Sequence, residues 1–395
     1  MEKSAEFKKV YHLVGEQTLP VFIAAIQFSN EAVHFLLTSR SKKTTDAAQR
    51  LQETLKKAGR RAELLYIGEE TEAVSFPALN ATIGNVLDAT NRDHERAAFD
   101  LTGGTKPMSI MSLLHVQRHE EITPYYLDTR GRKLICPSDQ SMSMELQKKL
   151  SLENFFNLGG MELKSHGENY VPEEVLEYFY ENAGKLQRFQ QPISWCLPGG
   201  RHQKEMLPPG ETQESYFQKQ LKELEAVFDP AGWSENWEKF CSPKNGEEVN
   251  WGKQARFLAG EWFEDYVYMI VKKNNPGIRE IFLSAELAFP GKKQPAQEFD
   301  VVYTDGYSLI ILECKAGRVS PDHVYKLENL RNHFSGALGR CALVTLNPSR
   351  TGKNQQESFA ERIQNSHFIS AFCGRGGIYK LKDNGMTFVP GQIYE

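Results

Sequence analysis

Residues 298–315 read Glu298-Phe299-Asp300-Val301-Val302-Tyr303-Thr304-Asp305-Gly306-Tyr307-Ser308-Leu309-Ile310-Ile311-Leu312-Glu313-Cys314-Lys315. Asp-Gly between two apolar, alternating runs is the strongest short-range hairpin signal in a sequence. A two-residue turn at Asp305-Gly306 pairs Thr304 with Tyr307, Asp300 with Ile311 and Glu298 with Glu313. Side chains alternate faces along a strand, so Glu298, Asp300, Glu313 and Lys315 emerge on one face. Asp300 then lies diagonal to Glu313, within reach of one hard divalent cation shared by both carboxylates. The plainer alternative is a charged, solvent-facing side of a hairpin. However, Ser308 to Leu312 is apolar on both faces, as in a buried central strand. Acids at the end of such a strand point to a site more than to a wet surface.

These residues resemble the PD-(D/E)xK nuclease superfamily, in Asp300, in Glu313-x-Lys315 and in an upstream helical acid, Glu264. Glu264 lies in Gly260-Glu261-Trp262-Phe263-Glu264-Asp265-Tyr266, where Leu258, Trp262, Tyr266, Met269 and Ile270 recur at helical spacing and should pack on the sheet. Gly260, one turn before Glu264, is expected to let that helix approach the sheet closely. The family's Pro before Asp is replaced by Phe299. The resemblance implies catalytic roles for Glu264, Asp300, Glu313 and Lys315. Asp300, Glu313 and the Cys314 carbonyl would hold the metal, with Glu298 a second-metal or supporting acid. An all-oxygen set suits magnesium or manganese alike.

The chain has 395 residues, enough for two or three domains, with 40% hydrophobic and 25% charged residues. No run reaches the length of a membrane span, and the first residues carry no apolar signal core. Six cysteines (136, 196, 241, 314, 341 and 373) show neither Cys-x-x-Cys nor zinc spacing, as expected of reduced thiols in a cytoplasmic protein. A net charge of −4 argues against indiscriminate nucleic-acid binding, although a local basic groove remains compatible with it.

Residues 1–150 alternate strand and helix, from a strand at Val10–Val14 to one at Thr123–Leu127. That order implies a doubly wound, Rossmann-like parallel sheet, whose ligands bind beyond the carboxyl ends of the strands. Three loops fall there: Gly15-Glu16-Gln17-Thr18, Ser39 to Thr44, and Thr102-Gly103-Gly104-Thr105-Lys106. In the third, two glycines free the backbone and a helix starts at once, so its amides with Thr105 and Lys106 form an anion site. It is neither a Walker A loop nor a dinucleotide fingerprint. Asp100-Leu101-Thr102-Gly103-Gly104-Thr105-Lys106 resembles the signature of CARF domains, which sense cyclic oligoadenylates in CRISPR-associated proteins. Gln17 and Thr18 look like the family's other ligand segment. The resemblance implies ring contacts from Gln17, Thr18, Ser39, Thr102, Gly103, Gly104, Thr105 and Lys106.

Residues 151–250 read as a helical, loop-rich connector, either part of the nuclease or packed on it, and 251–395 as the nuclease domain, restriction-endonuclease-like with a central mixed sheet. Amphipathic segments fall at Pro172–Leu186 and Gln213–Phe228, with a Pro/Gly-rich surface loop from Leu197 to Gly210 between them. Ser320-Pro321 opens a later helix, on which Tyr325, Lys326 and Arg331 are candidate nucleic-acid contacts, or else surface charge. A sensor followed by this nuclease resembles the CARF-linked effectors of type III CRISPR immunity, in particular the subgroup activated by cyclic tetra-adenylate. What that implies is a homodimer with the ring on its two-fold axis, cutting single-stranded RNA or DNA or nicking duplex DNA. Two other readings remain open: a constitutive restriction or repair endonuclease, and a ligand-responsive DNA-binding regulator without catalysis.

Overall fold

The computed structural model describes residues 7–69, 75–167, 171–197, 207–242, 249–317, 319–346, 361–366, 368–384, 389 and 391–395. The first seven strands are β1 (Lys9–Leu13), β2 (Val33–Thr38), β3 (Arg61–Tyr66), β4 (Ala97–Asp100), β5 (Ile122–Asp128), β6 (Lys133–Ile135) and β7 (Met144–Glu145). Between them run α1 (Leu19–Gln27), α2 (Lys42–Lys57), α3 (Phe76–Thr90) and α4 (Lys106–Val116). They form one sheet of order β3-β2-β1-β4-β5-β6-β7, parallel from β3 through β5. This is the expected doubly wound order. Its direction reverses between β1 and β4, so the loops after those two strands flank the ligand crevice typical of such sheets.

α5 (Leu152–Leu158) follows, then β8 (Glu162–Gly167), α6 (Glu173–Glu181), α7 (Ala183–Ser194), α8 (Gln213–Glu225), α9 (Pro230–Cys241) and α10 (Trp251–Arg256). The single amphipathic segment expected at 172–186 is thus two helices, broken at Asn182, with the second running on to Ser194. Most of the Leu197–Gly210 stretch lies outside the described residues. The remaining elements are α11 (Trp262–Asn274), β9 (Glu280–Ala288), β10 (Gln297–Thr304), β11 (Leu309–Lys315), α12 (Pro321–Phe334), β12 (Gly339–Thr345), β13 (Ile369–Cys373), α13 (Gly374–Asn384) and β14 (Ile393–Tyr394). The second sheet has order β14-β13-β12-β11-β10-β9-β8, antiparallel from β8 to β11 and parallel from β11 to β14. It is the mixed sheet expected, and β11 lies at its centre.

α11 packs on that sheet because Trp262, Phe263, Tyr266, Val267, Ile270 and Val271 are buried along one broad face. Each such side chain contributes about 1.5–3 kcal/mol on burial. Among the described residues no helix is long and apolar enough to cross a membrane. All six cysteines are free thiols.

Candidate active site

The turn between β10 and β11 is wider than its Asp-Gly dipeptide suggests. Asp305 Oδ1 accepts from Tyr307 N at 2.9 Å and Ser308 N at 2.8 Å, and Thr304 Oγ1 accepts from Gly306 N. The strands therefore close at Thr304↔Leu309, leaving residues 305–308 as the loop. Compared with a two-residue turn, the register moves by two positions. Because side chains alternate with a period of two, every residue keeps its face while its partner changes. Continuing the ladder beyond Val301↔Leu312 sets Asp300 opposite Glu313, closer than the diagonal expected. Glu298 is not opposite Glu313: it pairs with Glu286 of β9 and is exposed. The β9 ladder skips Asp300, and Ser284, which stands opposite, has φ +47°, a conformation uncommon outside glycine.

Asp300 and Glu313 are both buried and share one ammonium. Lys315 Nζ lies 3.1 Å from Asp300 Oδ2 and 2.9 Å from Glu313 Oε1. Cys314 N donates to Asp300 Oδ2 at 2.7 Å, which locks the carboxylate against the start of the Glu-Cys-Lys run. Lys326 of α12 donates to Glu313 Oε2 at 2.7 Å. Its cation is thus committed to an acid of the cluster. Arg331 is buried, its Nε donates to the Gly339 carbonyl at 3.2 Å and its guanidinium covers the Phe368 ring. That position withdraws Arg331 from nucleic acid, contrary to the surface role expected for it. Tyr325 is exposed, with Arg362 over its ring at 4.2 Å.

Electrostatics follow from this crowding. Burial raises the Asp300 carboxyl above the ordinary range, and the Glu313 charge raises it further. Burial also pushes Glu264 well up, reinforced by Asp300. At Glu313 burial acts in the same direction, but Lys315 and Lys326 together outweigh it and its carboxyl lies below the usual value. Lys315 is desolvated, yet the two carboxylates hold its ammonium above its ordinary pKa.

Glu264 stands in the first turn of α11, where the helix N-terminus favours negative charge. It lines a cleft of about 580 Å³ together with Cys314, Lys315, Ala316 and Gly317. Gly260 is in the same cleft, in the bend that joins α10 to α11. Its φ is +159° and nothing lies within 4 Å of where a Cβ would stand. The glycine serves the bend, not the close approach to the sheet expected of it.

Among the described residues, no three His, Cys, Asp or Glu side chains converge as a ready metal cluster. Lys315 and Lys326 instead hold the carboxylate oxygens of Asp300 and Glu313. The donor chemistry nevertheless fits a hard divalent cation. Half-buried Glu264 and buried Asp300 both have carboxyls raised by desolvation and by repulsion from neighbouring acids, and added positive charge relieves that.

At the crevice of the first sheet the structure gathers Thr102, Gly103, Gly104 and Lys106 around a hollow of about 450 Å³, with Ser109 and Tyr126. A Cβ on Gly103 would stand 1.9 Å from the Leu13 carbonyl, and Gly104 has φ +74°, so both positions require glycine. Thr105 caps α4, accepting from Met108 N, and Lys106 is exposed at its first turn. The Thr102 hydroxyl donates to Asp100 and accepts from Leu127 N, which holds the loop from inside. Ser39 is buried and bonded to Thr44. Gln17 and Thr18 line a different hollow, with Asn332 to Gly336 at the end of α12. Behind the crevice runs a fully buried chain that sequence reasoning missed: Asp100 Oδ2 to His12 Nδ1 (2.9 Å), and His12 Nε2 to His34 Nδ1 (2.9 Å).

Comparison with known proteins agrees with both halves of the chain. Residues 10–155 match the Card1 CARF domain, and residues 252–363 the Card1-like endonuclease domain. The chain carries a Card1 CARF domain followed by a Card1-like endonuclease domain. No curated protein matches it. Among solved structures, Can2 from Sulfobacillus thermosulfidooxidans, in complex with cyclic tetra-adenylate, has a TM-score of 0.66 at 17% identity, over 95% of this chain and 97% of that one. Protein VC1899 from Vibrio cholerae gives 0.70 at 17% identity, over 95% of both. A type III CRISPR defence DNA nuclease activated by cyclic oligoadenylate gives 0.55 at 15% identity, over 98% of this chain and 52% of that one. At these identities the likeness concerns the fold. The hollow at Thr102 to Lys106 thus lies in the CARF domain, and Asp300, Glu313, Lys315 and Lys326 in the endonuclease domain.

Proposed function

We propose that this chain is a metal-dependent endonuclease of type III CRISPR defence, switched on by a cyclic oligoadenylate at its CARF domain. Cyclic tetra-adenylate is the ring we favour, since the Can2 structure contains it. The observation that carries the reading is the convergence of Asp300, Glu313 and Lys315 on adjacent strands, with Lys315 lining the cleft that Glu264 also lines, in one chain with a CARF domain. Magnesium or manganese would be held by Asp300, Glu313 and the Cys314 carbonyl, with Glu264 completing the shell directly or through water. When bound, such an ion polarises the scissile phosphate and lowers the pKa of a water. Lys315 acts as a fixed cation that orients the attacking water and balances charge growing on the phosphate. Glu298 supports the cluster electrostatically from β10.

The ring lies against the α4 N-terminus. Its amides and Lys106 meet phosphate oxygens, while Gly103 and Gly104 allow close backbone approach. Two copies of the chain share it, each contributing the same loops. Coupling runs along α12. One end abuts Gln17 of the sensor through Gly336, and two turns earlier Lys326 holds Glu313. The far end of the hairpin is also tied to the CARF domain, by Arg132 on Asp305 (2.6 Å). A ring that draws on the Gln17 loop biases α12 and loosens Lys326, freeing Glu313 for metal. The substrate is RNA or DNA with unpaired strands. Binding of cyclic tetra-adenylate by calorimetry, together with cleavage of labelled single strands, tests the reading. It fails if Lys106→Ala and Gly104→Val bind the ring like the parent.

A further inference from the structure

One wall of the nuclease cleft comes from outside the residues that match the endonuclease domain. Gln187, Gln190, Gln191 and Ser194 of α7 line it, opposite Glu264, Cys314 and Lys315. Their spacing of i, i+3, i+4 and i+7 places all four on one helix face. That face is polar but carries no charge, where a helix flank turned to solvent usually carries lysines and acids. Gln190 is only 8% exposed, and its Nε2 has no partner among the described residues. A buried donor left unpaired is costly, and a bound group that accepts from it removes the cost. Ala316 and Gly317, both small, keep the space between α7 and the end of β11 open.

We propose that this stripe is a base-reading wall: Gln187, Gln190, Gln191 and Ser194 hold an unpaired nucleobase beside the scissile phosphate and set where the strand is cut. The proposal rests on the nuclease reading above and adds its specificity determinant. Amides offer a donor and an acceptor side by side, which matches base edges, and unpaired bases expose those edges fully. Phosphates are served elsewhere, because among the described residues the cations lining this cleft are Arg256 and Lys315 and none belongs to the stripe. At about 580 Å³ the cleft falls in the range of small-ligand sites, roughly 300–1,000 Å³. That is room for an unpaired nucleotide beside the scissile phosphate.

The test maps cut positions on a single strand of mixed sequence, with cyclic tetra-adenylate and manganese saturating, for the parent, Gln190→Leu and Gln191→Ala. The parent is expected to prefer one base next to the cut. Each variant should flatten that preference by about five- to tenfold and raise KM more than it lowers kcat. Gln191 is exposed, so its variant retains the fold and decides the matter even if Gln190→Leu melts early. A parent that cuts without base preference, or variants that keep the parent's cut pattern and KM, overturn the proposal. A parent that cuts nothing refutes the nuclease reading instead.

Discussion

Lys326→Met separates the two jobs that its position allows. In this structure Lys326 Nζ sits 2.7 Å from Glu313 Oε2, and the Glu313 side chain is 5% exposed against 39% for Lys326. A hydrogen bond to a charged group is worth about 1.5–3 kcal/mol in general. Lys326 is more than a third exposed, so solvent screening reduces this to roughly 1 kcal/mol. Methionine keeps the length and apolar stem of the side chain and removes its charge. If Lys326 competes with metal for Glu313, the variant should bind manganese about fivefold more tightly without activator, since 1.4 kcal/mol is tenfold. Cleavage without activator should rise by a similar factor, while the activated rate changes little. Calorimetric metal titration and a fluorogenic single-strand assay, each with and without the ring, read both quantities. Unchanged metal affinity together with loss of the activated rate would refute the reasoning and make Lys326 a substrate contact.

Other outcomes follow from the same geometry. Glu313→Ala and Asp300→Asn should each lower cleavage by more than about a hundredfold while ring binding survives, and Asp300→Asn should raise the melting temperature in metal-free buffer by relieving repulsion with Glu264 and Glu313. Gly103→Ala should abolish ring binding and lower the melting temperature, because its Cβ would meet the Leu13 carbonyl at 1.9 Å. Lys106→Ala, at an exposed site, should weaken the ring only several-fold in calorimetry, and less at high salt. His34 should show in the pH dependence of stability. Burial first, then His12, Arg60 and Lys148, push its pKa well below the ordinary value, so the folded protein keeps it neutral. Its contribution is therefore complete above about pH 6.5 and is lost as pH falls below that, when the unfolded chain takes up a proton. His34→Leu should flatten the acid limb of melting temperature against pH between 5 and 7, and an unchanged limb would rule His34 out as its source.

Much of the fold was legible because periodicity carries it. Strand and helix alternate cleanly from Val10 to Leu127, and β11 announces itself by being apolar on both faces. The shared face of Asp300, Glu313 and Lys315 was legible as well, since a slip of two residues leaves faces unchanged. The partners across the hairpin were not. The Asp305 side chain takes the amides of Tyr307 and Ser308, and dipeptide statistics do not show that competition. Arg331 was misread because a basic residue on a helix looks solvent-facing until the Gly339 carbonyl and the Phe368 ring claim it. The His12–Asp100 contact joins residues 88 positions apart, and only the sheet order brings them together. Single polar residues inside β1, β2 and β4 were the available signal. Gln187, Gln190 and Gln191 gave none beyond their spacing, because amides carry neither the apolar period of a core nor the charge of a catalytic group.

The central claim is that one chain holds a ring sensor and a metal-dependent nuclease that depend on one another. The most direct measurement is cleavage of a labelled single strand by the purified protein in manganese, with and without cyclic tetra-adenylate, beside Glu313→Ala. The account predicts cutting by the parent only when metal and ring are both present, and none by the variant, which still binds the ring. Equal cutting by the parent without the ring, or undiminished cutting by Glu313→Ala, would contradict it.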